Sequence, residues 1–364
     1  MVTLLLAAGP RSEARALATV TSHLLIPARC GTFREWYALP LARANPEAGD
    51  IAVTLNEPSR SITLRDARSD DADALDAFAM STRSPGDHQG VAARDSRTHD
   101  EGVLRVAVTD EDRVVGAQHY QHLDSTQCWL SRLRVHPEFR RRGIAGMLLA
   151  DAVRMAQSER LLTLRYSGDA MNEAVHRLSQ AHHARPRGTW VSFERTMDAS
   201  ACELGRAKPS LGQAATALGQ GDRLRALSLV HASGRSLYAE SWVWRTLDAA
   251  AIASLTQAGH AFLARSGVGG WSLAVLATHP ESEMEATLYG TDPVCAQAVL
   301  DHLKRSACAA ADGVDIIVHV PQDSPASGLL GSLARRGDWR PVTEHALRVW
   351  EIELTPKASA RAKT

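Results

Sequence analysis

The run Val135-His136-Pro137-Glu138-Phe139-Arg140-Arg141-Arg142-Gly143-Ile144-Ala145-Gly146 concentrates residues that can do chemistry. It follows an apolar, strand-like segment over 129–135 and opens a helix-like one over 144–156. The first amides of a helix have no intrahelical partner, and the macrodipole adds partial positive charge there. Small residues let a ligand approach the backbone, and arginines add full charge. Arg132, Arg134, Arg140, Arg141 and Arg142 supply that charge from one short stretch. A phosphate or pyrophosphate is the natural guest. A nucleoside-triphosphate loop needs a lysine after its glycines, and this loop has none. A dinucleotide fingerprint needs Gly-x-Gly-x-x-Gly, which these glycines do not fit.

The elements that must position this loop are legible from periodicity and breakers. Residues 62–65 alternate as a strand, and Ser69, Asp70 and Asp71 introduce a helix over 72–80. Residues 83–101 are polar and read as a loop or a short helix. Strands over 103–108 and 114–120 flank the turn Asp110-Glu111-Asp112 as a hairpin. A further strand ends at Val135, and the helix after the loop runs to Ser158. Next come a strand over 161–166, a helix over 169–182 and a strand over 190–195. Residues 199–222 read as an Ala/Gly/Ser/Gln-rich linker with a helix at 211–218. The second half predicts strands at 241–246, 272–277, 284–289, 314–320 and 346–354. Its helices fall at 247–264, 293–310 and 327–335. Before residue 58 only 17–26 reads as helical, and Pro27, Pro40, Pro46 and Pro58 break up residues 27–58.

The segment Arg140-Arg141-Arg142-Gly143-Ile144-Ala145 resembles the Arg/Gln-x-x-Gly-x-Gly/Ala loop of the GNAT N-acetyltransferases, which holds the pyrophosphate of coenzyme A. Val135, Pro137-Glu138-Phe139 and Leu148-Leu149 match the same family, and the order of elements over about 60–198 is that of its fold. The resemblance implies an α/β chain of the α+β mixed-sheet kind, in two tandem GNAT-like domains. Residues 1–58 are an extension, 59–198 the cofactor-binding domain, 199–223 the linker, 224–355 a degenerate second copy and 356–364 a disordered tail. It also implies a sheet splayed between its fourth and fifth strands, with acetyl-coenzyme A as acyl donor and its thioester in the splay. Leu133, Arg134 and Val135 then give backbone bonds to the pantetheine arm. Arg140, Arg141, Arg142, Gly143, Ile144, Ala145 and Gly146 hold the pyrophosphate. Asn172 either contacts the cofactor or caps the next helix. The second half carries Tyr289-Gly290-Thr291-Asp292-Pro293 at the matching place. There Asp292 repels a phosphate and Pro293 lacks an amide, so that half is expected to leave coenzyme A unbound.

The implied reaction is direct transfer of an acetyl group to a primary amine, which needs a proton acceptor and a donor for the leaving thiolate. Many family members place a tyrosine donor where this chain has Ser179, and Tyr166 on the fifth strand is the candidate to replace that phenol. Histone-type members place a glutamate base where this chain has Trp129. His119, with His122, is the candidate base. The competing reading is a non-catalytic sensor that binds acyl-coenzyme A without turnover.

Bulk composition agrees with a globular chain long enough for two or three domains: 364 residues, 45% apolar, formal charge +0. A neutral chain has no global field to recruit nucleic acid or an anionic membrane. The expected partner is an amine acceptor, small molecule or protein, with homodimerisation open. Cys30, Cys128, Cys202, Cys295 and Cys308 are scattered without Cys-x-x-Cys, so neither a disulfide framework nor a zinc site is expected. His176, His182 and His183 lack metal-ligand spacing, and no metal is expected. The start has an apolar run without a basic segment before it, and no stretch reaches the roughly 20 apolar residues of a membrane span. A cytoplasmic home is therefore expected.

Overall fold

The computed structural model describes residues 51–53, 61–82, 102–198, 201–202, 214–267, 269–277, 283–310 and 313–354. The helix expected at 17–26, the loop at 83–101 and the tail from 356 lie outside the described residues. The first half of the chain gives β1 (Ile51–Val53), β2 (Ile62–Asp66), α1 (Ala72–Thr82), β3 (Val103–Thr109), β4 (Val114–His122) and β5 (Gln127–Val135). It continues with α2 (Ile144–Ser158), β6 (Thr163–Asp169), α3 (Glu173–Ala181) and β7 (Arg185–Met197). The second half gives β8 (Thr216–Ala217), α4 (Arg223–Ala232), β9 (Leu237–Glu240), β10 (Val243–Thr246), α5 (Ala249–Gln257) and β11 (Ala261–Arg265). After these come β12 (Trp271–Ala277), β13 (Glu283–Gly290), α6 (Pro293–Ala310), β14 (Val314–Pro321), α7 (Pro325–Arg335), β15 (Arg340–Pro341) and β16 (Leu347–Glu353).

One mixed sheet runs β1-β2-β3-β4-β5-β6-β16-β7-β14-β13-β12-β11-β8, with β15 added on β7. Among the described residues only β5–β6 and β13–β14 pair in parallel. Six strands of the first half lie on one side of the β16–β7 pair and five of the second half on the other, and this middle is a strand exchange. The last strand of the chain, β16, lies antiparallel beside β6 from Leu347↔Asp169 to Glu353↔Thr163. The last strand of the first half, β7, lies beside β14 from Val314↔Met197 to Pro321↔Trp190. Each half therefore completes the other's sheet.

Side chains alternate across the sheet. In β3, Val106 and Val108 meet Leu75 and Phe78 of α1, whereas Ala107 packs with Ile144 and Leu148 of α2. On the α2 face Leu130, Leu164 and Tyr166 meet Leu149 and Ala152. In the second half α6 and α7 cover Ala286, Leu288, Ile316 and Val318. The opposite face of the second half is covered by the β9–β10 hairpin, where Trp190 and Trp244 stack at 4.4 Å between centroids.

Several expectations change. The helix foreseen over 247–264 is α5 followed by β11. Gly259, at φ +75°, adopts a left-handed turn in which His260 N–H reaches Leu255 O and Gly259 N–H reaches Thr256 O. That closure ends the helix, and Phe262 and Leu263 serve a strand paired with β12. The helix foreseen at 211–218 is, where described, the strand β8, paired with β11. Residues 223–240, to which the sequence reading assigns no element, hold α4 and β9. α4 buries only Ala226 and Val230 and leaves Leu224 exposed, so its periodicity is faint. Cys202 and Cys308 form a disulfide, at 5.6 Å between Cα atoms, which scattered cysteines did not announce. Among the described residues, no helix is long and apolar enough to cross a membrane.

Candidate functional site

The loop between β5 and α2 is built to leave amides open. His136 N–H bonds Val115 O at 2.9 Å, a 3-10 turn spans Pro137–Phe139, and the Phe139 ring is buried. Arg140 Nε donates to Val135 O at 3.1 Å, which holds the loop against the strand it leaves. Arg141 and Gly143 then take left-handed conformations, φ 63° and 81°. Gly143 is the N-cap of α2, has no side chain to cap with, and the first turn contains no acid. The first intrahelical bond from this cap is Met147 N–H to Gly143 O at 3.0 Å, so the amides of Ile144, Ala145 and Gly146 precede the ladder. Arg140, Arg141 and Arg142 are exposed around them. The Arg142 guanidinium also stands 5.1 Å from the centre of the Phe139 ring. A Cβ added at Gly143 would meet nothing within 4 Å, and one at Gly146 would stand 3.6 Å from His182 Nε2. Among the described residues the cradle is thus open and positive.

Beside it β5 and β6 part. Their parallel pairing runs from Gln127↔Thr163 to Leu130↔Tyr166 and stops, although β5 continues to Val135 and β6 to Asp169. On its other edge β5 is bulged: Ala117 faces Arg134 and His119 faces Ser131, so β5 spends an extra residue. Arg132 takes φ 57° within that bulge. Leu133, Arg134 and Val135 therefore lie along the wedge, beyond the last backbone pair of β5 with β6.

Tyr166 and Ser179 meet at this wedge. Tyr166 Oη donates to Ser179 Oγ at 2.9 Å, and Ser179 Oγ donates to Val175 O at 2.8 Å. Burial raises the Tyr166 pKa, only partly countered by the Ser179 hydrogen bond, so the phenol keeps its proton. Asn172 is the N-cap of α3, its Oδ1 accepting from Ala174 N at 3.0 Å and Val175 N at 3.3 Å. The capping role is thus the one visible in the structure. His119 is fully buried, with Nδ1 3.4 Å from Ser131 Oγ. An amine in solvent reaches it only through a relay. His122 is half-exposed and pairs with Glu159 at 2.7 Å, away from the wedge.

Sequence reasoning missed two groups at the outer end of β6. Asp169 Oδ2 lies 2.9 Å from Nδ1 of His345, which precedes β16, and 176 residues separate them. No local spacing could reveal such a pair; only the strand exchange brings them together. Also missed is the charge cluster on the face opposite α2. Arg165 bonds Glu351 at 2.5 Å and Thr246 Oγ1 at 2.9 Å, and also bonds Gln127. This cluster ties β5, β6, β16 and the β9–β10 hairpin together. Among the described residues no cluster of three or more His, Cys, Asp or Glu side chains is arranged to hold a metal.

The second half differs at each of these points. Asp292 Oδ1 accepts the Val294 amide at 2.8 Å, so the α6 start is capped by its own carboxylate. The β12–β13 register is regular from Ser272↔Gly290 to Ala277↔Glu285, without a bulge. The face opposite α6 is occupied. Ala239 N–H bonds Thr287 Oγ1 at 2.9 Å, Glu285 accepts the amides of Ser241 and Trp242, and the Tyr289 hydroxyl bonds Leu237 O. Glu285 also meets His319 Nε2 at 2.7 Å, whose Nδ1 lies 2.7 Å from Ser192 Oγ. All three residues are buried.

Residues 72–183 match the family model for the acetyltransferase (GNAT) family, so this part of the chain carries that family's signature. No curated protein matches the sequence. Among solved structures, the chain is similar to a GCN5-related N-acetyltransferase from Sphaerobacter thermophilus: 15% identity, TM-score 0.47, 81% of this chain and 96% of that one. It is similar to a tandem GNAT protein from the clavulanic acid biosynthesis pathway at 16% identity and TM-score 0.39, over 82% of this chain and 100% of that one. A putative acetyltransferase from Pyrococcus horikoshii is similar at 15% identity and TM-score 0.41, over 81% and 90% respectively.

Proposed function

We propose that this chain is an N-acetyltransferase that takes acetyl-coenzyme A as donor and a primary amine as acceptor, within a segment that carries the GNAT signature. The observation that carries the reading is the uncapped, arginine-flanked start of α2 beside the point where β5 leaves β6. The residues present fit the donor. The amides of Ile144, Ala145 and Gly146, with Arg140, Arg141 and Arg142, would hold a pyrophosphate, because Gly143 and Gly146 keep side chains out of its way. Leu133, Arg134 and Val135 would offer backbone groups to the pantetheine arm along the wedge, and Asn172, at the head of α3, would stand beside it. When bound, the donor supplies an activated acetyl thioester. Tyr166 would hold the proton that the leaving sulfur needs, and Ser179 would orient the phenol and pass protons onward. His119 would act through Ser131, on the bulged strand.

The second half would bind no donor. Asp292 already uses its helix start, and the β9–β10 hairpin already uses the sheet face. Its contribution to the first half would be β16 and the hairpin.

Calorimetry with coenzyme A and a thiol-release assay over a panel of primary amines test the reading. Saturable binding that Arg142→Glu weakens, together with acetyl transfer, supports it. Binding without turnover would favour a sensor, and absence of binding would sink the cradle itself.

A further inference from the structure

The strand exchange places a histidine–carboxylate pair at the outer end of β6, beside the wedge. Leu164 and Tyr166 of β6 face α2, and a Cβ at Gly168 would press on Val175 of α3 at 3.0 Å. The alternate residues Arg165, Ser167 and Asp169 therefore face the other side. Arg165 confirms that direction through its bond to Thr246 on β10. Asp169 ends β6 three residues past Tyr166, the last residue paired with β5, so it stands at the rim of the wedge. The cradle lies at the start of α2, so a donor held there would occupy the helix side and leave the opposite face for an amine.

The pair is held from both sides. Asp169 Oδ1 accepts the Met171 amide at 2.7 Å, leaving Oδ2 for His345 Nδ1 at 2.9 Å. Ala170 N–H bonds Ala346 O at 2.8 Å, and Thr343 Oγ1 donates to His345 O at 2.6 Å. The imidazole must carry its proton on Nδ1, because a carboxylate only accepts. Nε2 is then a basic lone pair, and no hydrogen bond to it occurs among the described residues. Both side chains are a little under half exposed, 44% and 42%, so a solute can reach them.

We infer that His345, positioned by Asp169, takes the proton from the acceptor ammonium, so that the base of the first half's site is supplied by the second half. The inference rests on the acetyl-transfer reading above. Nε2 removes one proton from R–NH3+ and later returns it to solvent. The freed amine lone pair forms the C–N bond to the thioester carbon, the C–S bond breaks, and the remaining surplus N–H proton goes to the leaving sulfur. The products are an N-acetyl amine and a free thiol. Titratable and charged residues on the elements next to the pair are Glu344 on the His345 loop, Glu173 and His176 on α3, and Arg348 on β16. Arg348 is turned toward His176, at 3.5 Å.

The test compares wild type, His345→Gln, His345→Gly and Asp169→Asn. It measures acetyl-coenzyme A affinity by calorimetry and thiol release with lysine, spermidine, glucosamine and a lysine-containing peptide from pH 6 to 9. General-base removal is expected to lower kcat/KM for the amine about 100- to 1000-fold in His345→Gln, with acetyl-coenzyme A affinity and the melting midpoint unchanged. The acidic limb of the pH profile should disappear with it, and imidazole in the buffer should restore turnover to His345→Gly. Asp169→Asn should lose roughly tenfold and shift that limb. Full turnover with an unaltered acidic limb in His345→Gln overturns the inference. A wild-type chain that binds acetyl-coenzyme A yet acetylates none of the amines, or that does not bind acetyl-coenzyme A at all, overturns the underlying acetyl-transfer reading instead.

Discussion

Replacing Gly143 by aspartate should separate binding from folding. The residue caps α2 with φ 81°, and a Cβ there meets nothing within 4 Å. The steric cost is therefore confined to the backbone, about 1–2 kcal/mol for a non-glycine residue in the left-handed region. A carboxylate at an N-cap returns about 1 kcal/mol by accepting the open amides. The net change in stability should stay within about 1 kcal/mol. Toward a pyrophosphate the same carboxylate is harmful twice, because it occupies the donors and repels the ligand. Two like charges about 4 Å apart at an effective dielectric of about 20 repel by about 4 kcal/mol. The loop is exposed, and screening leaves about half of that. A loss of about 2 kcal/mol is roughly 30-fold in dissociation constant. The chain holds an internal precedent in Asp292, which already caps α6 in this way. Calorimetry with coenzyme A at low salt, beside a melting curve, reads both quantities. An unchanged dissociation constant, or lost binding with a melting midpoint that collapses with it, would refute the reasoning.

Tyr166→Phe should lower kcat while leaving the KM for acetyl-coenzyme A near its wild-type value, and should change stability by only about 1 kcal/mol, since Ser179 keeps its bond to Val175 O; pH-dependent kinetics with urea melts check both. Glu285→Ala should cost about 3–5 kcal/mol, because it strips His319 and the amides of Ser241 and Trp242 of a buried acceptor. A loss below about 1 kcal/mol in denaturant titration would contradict that. Burial works to raise the Asp71 pKa, but hydrogen bonds from Arg65 and the Arg68 amide outweigh it and hold the carboxyl below its usual 3.8. Its contribution to stability is therefore complete above the ordinary aspartate range and is lost as pH falls through the lower folded value. Asp71→Asn should flatten the acid limb of stability against pH, and parallel acid-unfolding curves for variant and wild type would count against the pair. Ending the chain after residue 335 removes β16 and should abolish cooperative unfolding, checked by calorimetric melting.

The cradle was readable because its determinants are contiguous: a strand, Arg140 to Gly146 and a helix need no distant partner to declare themselves. The same locality explains why α6, Pro293–Ala310, falls where its periodicity put it. What escaped depends on non-local pairing. β11 looked like helix because Phe262 and Leu263 continue the apolar stripe of Ile252 and Leu255, and only the conformation of Gly259 and the pairing with β12 decide otherwise. The exchange of β7 and β16 leaves no trace in either strand's own sequence, since both mix apolar and charged residues in a way that suits either neighbour. His345 and Asp169 were invisible for that reason. The Tyr166–Ser179 bond lay between these cases. Both residues were candidates, but their meeting depends on how α3 settles over β6.

The exchange also has a cost during synthesis. β6 leaves the ribosome early, yet the strand that pairs with its free edge ends at Glu353. At about 5–20 residues per second the wait between Asp169 and Glu353 is roughly 10–40 s. Through that interval the edge that β16 will cover presents unpaired amides and carbonyls next to Leu164 and Tyr166, the kind of surface that recruits strands from other chains. Yield in a cell should therefore depend on translation speed and chaperone supply more steeply than the finished protein's stability would suggest.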